Sequence, residues 1–143
     1  IPSESVLTML KIAARSQVKV KILVPEKTNS WPVRMASRAL YRNLFEAGVE
    51  IYHYHRGFIH AKTSVFDRSV AMIGTANMDN RSFDLNFEVN AVVYDKEVAE
   101  EMTELFYRDL EHATRVDPIE WRKRSKVRDF FEKVVDLASS LLQ

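Results

Sequence analysis

Two strand-like runs on either side of a helix constrain the fold of this chain more than any other feature. Val18–Val24 (VKVKILV) and Val49–His55 have the composition of strands, and Val33–Ala47 between them has the apolar spacing of a helix. The later signals are strand-like runs at Phe58–Phe66, Val70–Ile73 and Phe87–Tyr94, and an amphipathic helix at Lys96–Ala113. Strands that alternate with helices predict an α/β sandwich around a mixed sheet.

The two ends of the chain differ in character. Ser3 has the residue type of an N-cap and precedes apolar residues at helical spacing, so a first helix is expected to begin there. We expect one domain over residues 1–116 and a separate tail over residues 117–143. Within this tail, residues 121–128 (WRKRSKVR) hold five basic and no acidic side chains, and an apolar stripe follows. The tail is predicted to be a basic amphipathic helix, which either lies at an anionic membrane surface or packs back on the domain.

The composition argues against several classes of protein. The chain has 143 residues, of which 46% are hydrophobic, and this suits one domain with its own core. It has no cysteine, which excludes disulfides and thiolate metal sites. The net charge of +1 is unlike that of a dedicated nucleic-acid binder, so no nucleic-acid partner is expected. No apolar run approaches the roughly 18 residues of a membrane-spanning helix, and the start at Ile1 favours a soluble fragment of a longer protein.

One constellation of residues carries recognisable chemistry. His60-x-Lys62 is followed by Asp67, then by residues 74–77 (GTAN), and then by Glu88. Because side chains two apart on a strand share one face, His60 and Lys62 are expected to lie side by side. An imidazole can attack a phosphodiester, while ammonium and amide donors stabilise charge on phosphoryl oxygens. The constellation therefore predicts a phosphodiesterase-type site.

Each member of the constellation has an expected role. His60 is predicted to be the nucleophile or the general acid/base, and Lys62 and Asn77 are predicted to bind phosphate. Glu88 is expected to hold the other ring nitrogen of His60 and so orient it. Asp67 lies in a turn and is expected to act as local scaffolding rather than as a proton carrier.

Other polar residues leave alternatives open. Thr75 could bind phosphate or serve as a turn residue, and Arg81 could grip a phosphate or brace its loop. His53 and His55 share one strand face, but no further ligands follow at metal spacing, so no metal or cofactor is expected. A leaving alkoxide needs a second proton-transfer group, and this chain holds no obvious second copy of the motif.

The constellation resembles the motif of the phospholipase D superfamily, H-x-K-x4-D-x6-G-S-x-N. Thr75 stands where the superfamily has serine, and the hydroxyl is retained. The resemblance implies a phospholipase-D-like α-β-α sandwich half and metal-free chemistry through a phosphohistidine. It also implies that a downstream glutamate, here Glu88, orients the motif histidine.

The resemblance narrows to the second half of bacterial cardiolipin synthases. The segments that carry it are Lys27–Ala39, Gly57–Lys62, Gly74–Asn90 and Asp109–Arg115. It implies a phosphatidyltransferase that joins two phosphatidylglycerol molecules and releases glycerol. Such enzymes hold two motifs behind N-terminal membrane helices. The implied partner is therefore a first-motif half, upstream or on a second chain, and the implied location of the longer protein is the cytoplasmic face of the cell membrane.

Two rival functions come from the same residues. One is a single-motif nuclease or phosphodiesterase that completes its site by dimerising, since a two-fold axis brings identical motifs together. The other is a non-catalytic module that binds a membrane surface or a partner. The near-neutral charge disfavours the nuclease, and the intact motif disfavours the non-catalytic module for the longer protein.

Overall fold

The computed structural model describes residues 2–27 and 31–123, with the backbone alone over 31–34. Its α-helices are α1 (Glu4–Arg15), α2 (Trp31–Ala47), α3 (Lys96–Leu110) and α4 (Pro118–Arg122), and a π-helix spans Arg81–Leu85. Its strands are β1 (Lys21–Pro25), β2 (Glu50–Tyr54), β3 (Thr63–Phe66), β4 (Val70–Gly74), β5 (Asn90–Val93) and β6 (Ala113–Arg115). No helix among these residues is long and apolar enough to cross a membrane.

The strands form two sheets, each of three strands. In the first, β1 and β2 run parallel and β6 adds to β2 in the antiparallel direction. In the second, β3, β4 and β5 are all antiparallel. The predicted α/β class and mixed pairing are confirmed. The single sheet that we expected is divided in two, because residues 55–62 between β2 and β3 belong to neither sheet.

The core lies between the first sheet and the helices α1, α2 and α4. Its buried members are Tyr41, Leu44, Phe45, Val49 and Ile51. Side chains alternate along β1, so Ile22 and Val24 face this cluster. Lys21 faces the other way, and its ammonium lies 5.8 Å from the ring centre of Tyr107 in α3. Helices therefore cover both faces of the first sheet.

The start of α1 is tied to the loop after β4. Ser3 caps the helix as predicted, because its hydroxyl accepts a hydrogen bond from the Val6 amide at 3.3 Å. The Ser3 amide donates to the Met78 carbonyl at 2.9 Å, and Ser3 is buried. The first helix thus anchors the polar segment that follows Gly74.

Several element boundaries differ from the sequence predictions, and three of the differences change the description of the fold. The strand expected at Phe58–Phe66 begins only at Thr63. The helix expected at Lys96–Ala113 ends at Leu110, because residues 113–115 pair with β2 instead of continuing the helix. The segment expected to be irregular, residues 77–86, contains the π-helix. The start of β3 and the end of α3 depend on pairing between distant segments, which the local periodicity of the sequence does not indicate.

The tail begins as a helix that packs on the domain. Asp117 caps α4 by accepting a hydrogen bond from the Ile119 amide at 2.6 Å. Trp121 then packs on Tyr41, with ring centres 4.9 Å apart. Residues 124–143, with the whole of the predicted apolar stripe, lie outside the described residues, so the domain boundary at 117 stays a prediction.

Candidate active site

His60 and Lys62 lie side by side, as their spacing predicts. The Lys62 ammonium donates to Nε2 of His60 at 2.7 Å and to the His60 carbonyl at 3.0 Å. An ammonium has only donors, so Nε2 of His60 is the acceptor in this contact. The Lys62 carbonyl accepts from the Gly74 amide at 3.1 Å, which fixes Lys62 to β4 although β3 begins one residue later.

The His60 ring is accessible on the surface. His60 is exposed and Lys62 is half-buried. The ring of Phe58 stacks on the imidazole with centroids 5.6 Å apart and planes inclined by 25°. Such a stack restricts the ring, while the imidazole as a whole stays exposed and carries Lys62 at its Nε2 edge.

Asp67 lies at the other end of β3. It is exposed and adopts a φ of 50°, followed by Arg68 at 53°, in the tight turn that joins β3 to β4. Five residues of extended chain put it roughly 16 Å from Lys62. The structure therefore does not bring Asp67 to the His60 side chain, and its predicted scaffolding role would act through the turn.

Glu88 forms a network with Thr75 rather than with the His60 ring. The Thr75 hydroxyl donates to Glu88 at 2.5 Å and accepts from the Val89 amide at 2.9 Å, and the side-chain amide of Asn86 donates to the other Glu88 oxygen at 3.2 Å. The described contacts include no hydrogen bond between Glu88 and His60. The carboxylate is held by Thr75 and Asn86 instead, and the orienting role of Glu88 stays a prediction.

The charge of Glu88 is favoured by its surroundings. Hydrogen bonds from Thr75, then Asn86 and Ser82, hold the pKa of the Glu88 carboxyl below its usual value, and the nearby Lys62 charge acts in the same direction. Glu88 is therefore an anion at neutral pH, close enough to Lys62 to influence it.

Asn77 and Arg81 border the site. Asn77 is exposed, and its backbone amide donates to the Ser82 hydroxyl at 3.1 Å. Arg81 begins the π-helix, is exposed and forms no ion pair within the described part of the chain. Both side chains are thus open to solvent beside the network. Whether they bind phosphate, as predicted for them and for Thr75, stays a prediction.

Two residues of the network were missed from sequence. Ser82 is 5% exposed and Asn86 donates to Glu88, yet both looked like ordinary members of a polar loop. The available signal was the concentration of short polar side chains over residues 77–86, which favours local hydrogen bonding to the backbone.

The histidines of β2 and its end make protein contacts elsewhere. Nε2 of His53 lies 3.1 Å from the Tyr41 hydroxyl, and His55 bridges Glu26 at 2.9 Å and Thr114 at 2.6 Å. They help to line a separate cavity of about 500 Å³ at the carboxyl ends of β1 and β2. The described residues include no group of three or more His, Asp or Glu side chains that could hold a metal ion.

Comparisons with known proteins agree on one family. The family model described as cardiolipin synthase, PLD-like domain, matches residues 1–110. Cardiolipin synthase 2 of Staphylococcus epidermidis is 44% identical over 142 residues, and cardiolipin synthase of Geobacillus kaustophilus is 43% identical over 142 residues. These matches cover 99% of this chain but 29% and 28% of the relatives, so the chain spans less than a third of their length.

A solved structure has a similar fold. The crystal structure of a phospholipase D family member, Nuc from Salmonella typhimurium, matches with a TM-score of 0.69 at 19% sequence identity. The match covers 81% of this chain and 76% of that chain. It confirms the predicted phospholipase-D-like α/β fold.

Proposed function

We propose that this chain, which belongs to the cardiolipin synthase family of phospholipase-D-like domains, supplies one half-site of a phosphatidyltransferase that forms cardiolipin. The observation that carries the proposal is the contact between the Lys62 ammonium and Nε2 of His60 at 2.7 Å. It combines a nucleophilic nitrogen and a phosphate-binding cation at one exposed point.

The reaction that suits these groups has two steps. In the first, the Lys62 ammonium turns from Nε2 of His60 to a phosphoryl oxygen of one phosphatidylglycerol, and Nε2 attacks the phosphorus. The bond from phosphorus to the glycerol oxygen breaks, and a second group protonates the leaving glycerol. In the second, a hydroxyl of another phosphatidylglycerol attacks the phosphohistidine while the second group takes its proton. Cardiolipin forms and His60 is regenerated. If the other half-site provides the nucleophile, His60 is the group that gives and takes these protons.

The phosphate would be held by donors beside His60. Lys62 already lies within hydrogen-bond distance of the ring, and the Asn77 side chain and Arg81 are exposed nearby. Ammonium, amide and guanidinium groups suit the charge that builds on phosphoryl oxygens during transfer. Glu88 keeps its negative charge close to Lys62 and would offset part of the positive charge that Lys62 presents to the phosphate.

The second proton-transfer group would come from a partner half. The site of this chain is open to solvent, and the apolar side chains of Leu85, Phe87 and Val89 near Glu88 are 67%, 107% and 76% exposed. Such exposure in sequence neighbours suits a surface that a partner covers. A first-motif half is the proposed partner, either in the same longer chain or on a second chain.

The proposed setting is a membrane surface. Phosphatidylglycerol is an anionic lipid, and the relatives are cardiolipin synthases. We place the longer protein at the cytoplasmic face of a bacterial cell membrane, where the basic residues of the tail would meet anionic headgroups.

A chimeric enzyme tests the proposal. This chain would replace the matching segment of the Geobacillus kaustophilus cardiolipin synthase, and purified chimera would be assayed for cardiolipin formation in phosphatidylglycerol vesicles. The chimera is expected to be active, and His60→Ala is expected to lower its rate of cardiolipin formation by about 10²–10⁴-fold. His112→Ala, at an exposed histidine outside the site, is the matched control and should leave the rate unchanged.

Two results would contradict the proposal. Equal cardiolipin formation by the His60→Ala chimera would remove His60 from the mechanism. Degradation of DNA by the isolated chain, together with no action of the chimera on phosphatidylglycerol, would favour the dimeric nuclease instead.

A further inference from the structure

Ser82 is a buried residue of the polar segment that borders the candidate site. It is 5% exposed and lies in the first turn of the π-helix. Its backbone amide donates to the Asp79 carboxylate at 2.9 Å, which fixes the position of the residue in the chain. Its hydroxyl accepts from the Asn77 amide at 3.1 Å. Buried polar groups are normally hydrogen-bonded, and this hydroxyl has a defined partner in the Asn77 amide.

The hydroxyl proton of Ser82 can still be donated, and Glu88 is the acceptor considered for it. A serine hydroxyl has one proton to donate and two lone pairs. Since the Asn77 amide uses a lone pair, the proton remains available for the Glu88 carboxylate. The Ser82 hydroxyl is one of the groups that hold the pKa of Glu88 below its usual value. One side chain therefore connects the loop after β4 with the segment before β5.

Both segments are linked to Lys62, the first through the hydrogen bond from the Gly74 amide to the Lys62 carbonyl and the second through the charge of Glu88. Asn77 belongs to the first segment and Glu88 to the second, and Thr75 joins them a second time through its own hydrogen bond to Glu88. Thr75 is exposed, whereas Ser82 is shielded from water, so water cannot easily replace the Ser82 hydroxyl. Loss of that hydroxyl would leave the Asn77 amide without its partner and free Glu88 to shift.

We propose that Ser82 is a positioning residue, which holds Asn77 and Glu88 in a fixed relation beside Lys62 and His60. This role rests on the proposed function, in which Asn77 and Lys62 bind the substrate phosphate. Ser82 itself touches no substrate, and its effect passes through the two residues it joins.

The test compares two substitutions of equal size in the 143-residue chain. Ser82→Thr keeps the hydroxyl, Ser82→Val replaces it with a methyl group, and both add the same bulk to a buried position. Carbon-detected NMR titration of the Glu88 side chain gives its pKa, and NMR titration with inorganic phosphate gives the affinity of the site at His60 and Lys62. Ser69→Ala, in the exposed turn after β3, is the control for loss of a serine hydroxyl elsewhere.

Ser82→Val is expected to raise the Glu88 pKa toward its usual value and to weaken phosphate binding by about fivefold to tenfold, the equivalent of one hydrogen bond. Ser82→Thr and Ser69→Ala should match the unmodified chain in both measurements. Equal results for Ser82→Val and Ser82→Thr would overturn the proposal, because packing alone would then explain the burial of Ser82. If the unmodified chain binds no phosphate, the proposed function loses support, while the Glu88 titration still decides the role of Ser82.

Discussion

Replacing Gly74 with alanine is expected to destabilise the protein because the added Cβ would clash with neighbouring atoms. A Cβ at this position would lie 1.9 Å from Oδ1 of Asn90 and 2.5 Å from the carbonyl oxygen of Val89. The Asn90 side chain can rotate away, but the Val89 carbonyl belongs to the backbone and accepts from the Thr75 amide at 3.0 Å. The strand must therefore move, and the hydrogen bonds of Thr75 move with it.

The expected loss of stability combines a steric cost in the folded state with an entropy effect in the unfolded state. Overpacking of this severity costs about 3 kcal/mol of unfolding free energy, at the upper end of the usual range. Alanine returns about 0.5 kcal/mol by restricting the unfolded chain, because Gly74 does not have a positive φ. The net loss of about 2.5 kcal/mol corresponds to a melting temperature lower by roughly 5–10 °C for a chain of this size.

Urea denaturation followed by circular dichroism measures this loss, and Gly48→Ala provides the comparison. Gly48 has a φ of +97° but nothing within 4 Å of an added Cβ, so its substitution tests backbone strain without overpacking and should cost about 1 kcal/mol. Combining Gly74→Ala with Asn90→Ala removes one of the two contacts and should show a favourable coupling of about 1 kcal/mol. A cost for Gly74→Ala no greater than that of Gly48→Ala would refute the steric reasoning.

Two further predictions concern the first sheet and the tail. The hydrogen bond from Tyr52, at 2.6 Å, and that from Lys21 lower the pKa of Glu50, so their stabilising effect is present above the usual glutamate pKa and is lost as the pH falls through the lower folded value. Tyr52→Phe should therefore cost about 1 kcal/mol at pH 7 and less at pH 3, measured by urea denaturation at both values, and an equal cost at both would contradict this cause. Trp121→Ala should cost about 2–3 kcal/mol by loss of its packing on the core, whereas Ile119→Ala, at a side chain 64% exposed, should cost less than about 0.5 kcal/mol in the same assay. Equal costs would show that α4 does not contribute to the core.

The sequence predicted those features that depend on neighbouring residues. The cap at Ser3 and the helix between β1 and β2 follow from residue type and local spacing. The contact between His60 and Lys62 follows from the two-residue period of an extended chain, although the ladder of β3 begins only after them. In each case the interactions that determine the local structure join residues that lie close together in the sequence.

Features that depend on distant pairing were not predictable in the same way. Residues 113–115 continue the polar and apolar pattern of α3, and only the free edge of β2 makes them a strand. Thr75 and His60 were both available to the Glu88 carboxylate, and the sequence does not show which lies nearer. Ser82 is the buried residue of the π-helix, and the sequence pattern of polar residues around it does not indicate which of them is buried.

The tight turn at Asp67 and Arg68 has a consequence for the whole hairpin. Two successive residues with positive φ, and the hydrogen bond from the Ser69 amide to the Phe66 carbonyl at 3.0 Å, allow only one way of closing β3 onto β4. A slip of one residue between these strands would turn the side chains of β3 to the opposite face of the sheet and would break the hydrogen bond that ties Lys62 to Gly74. The aspartate of the motif can thus matter to a histidine that it never touches, by setting the alignment of the strand that leads back to it.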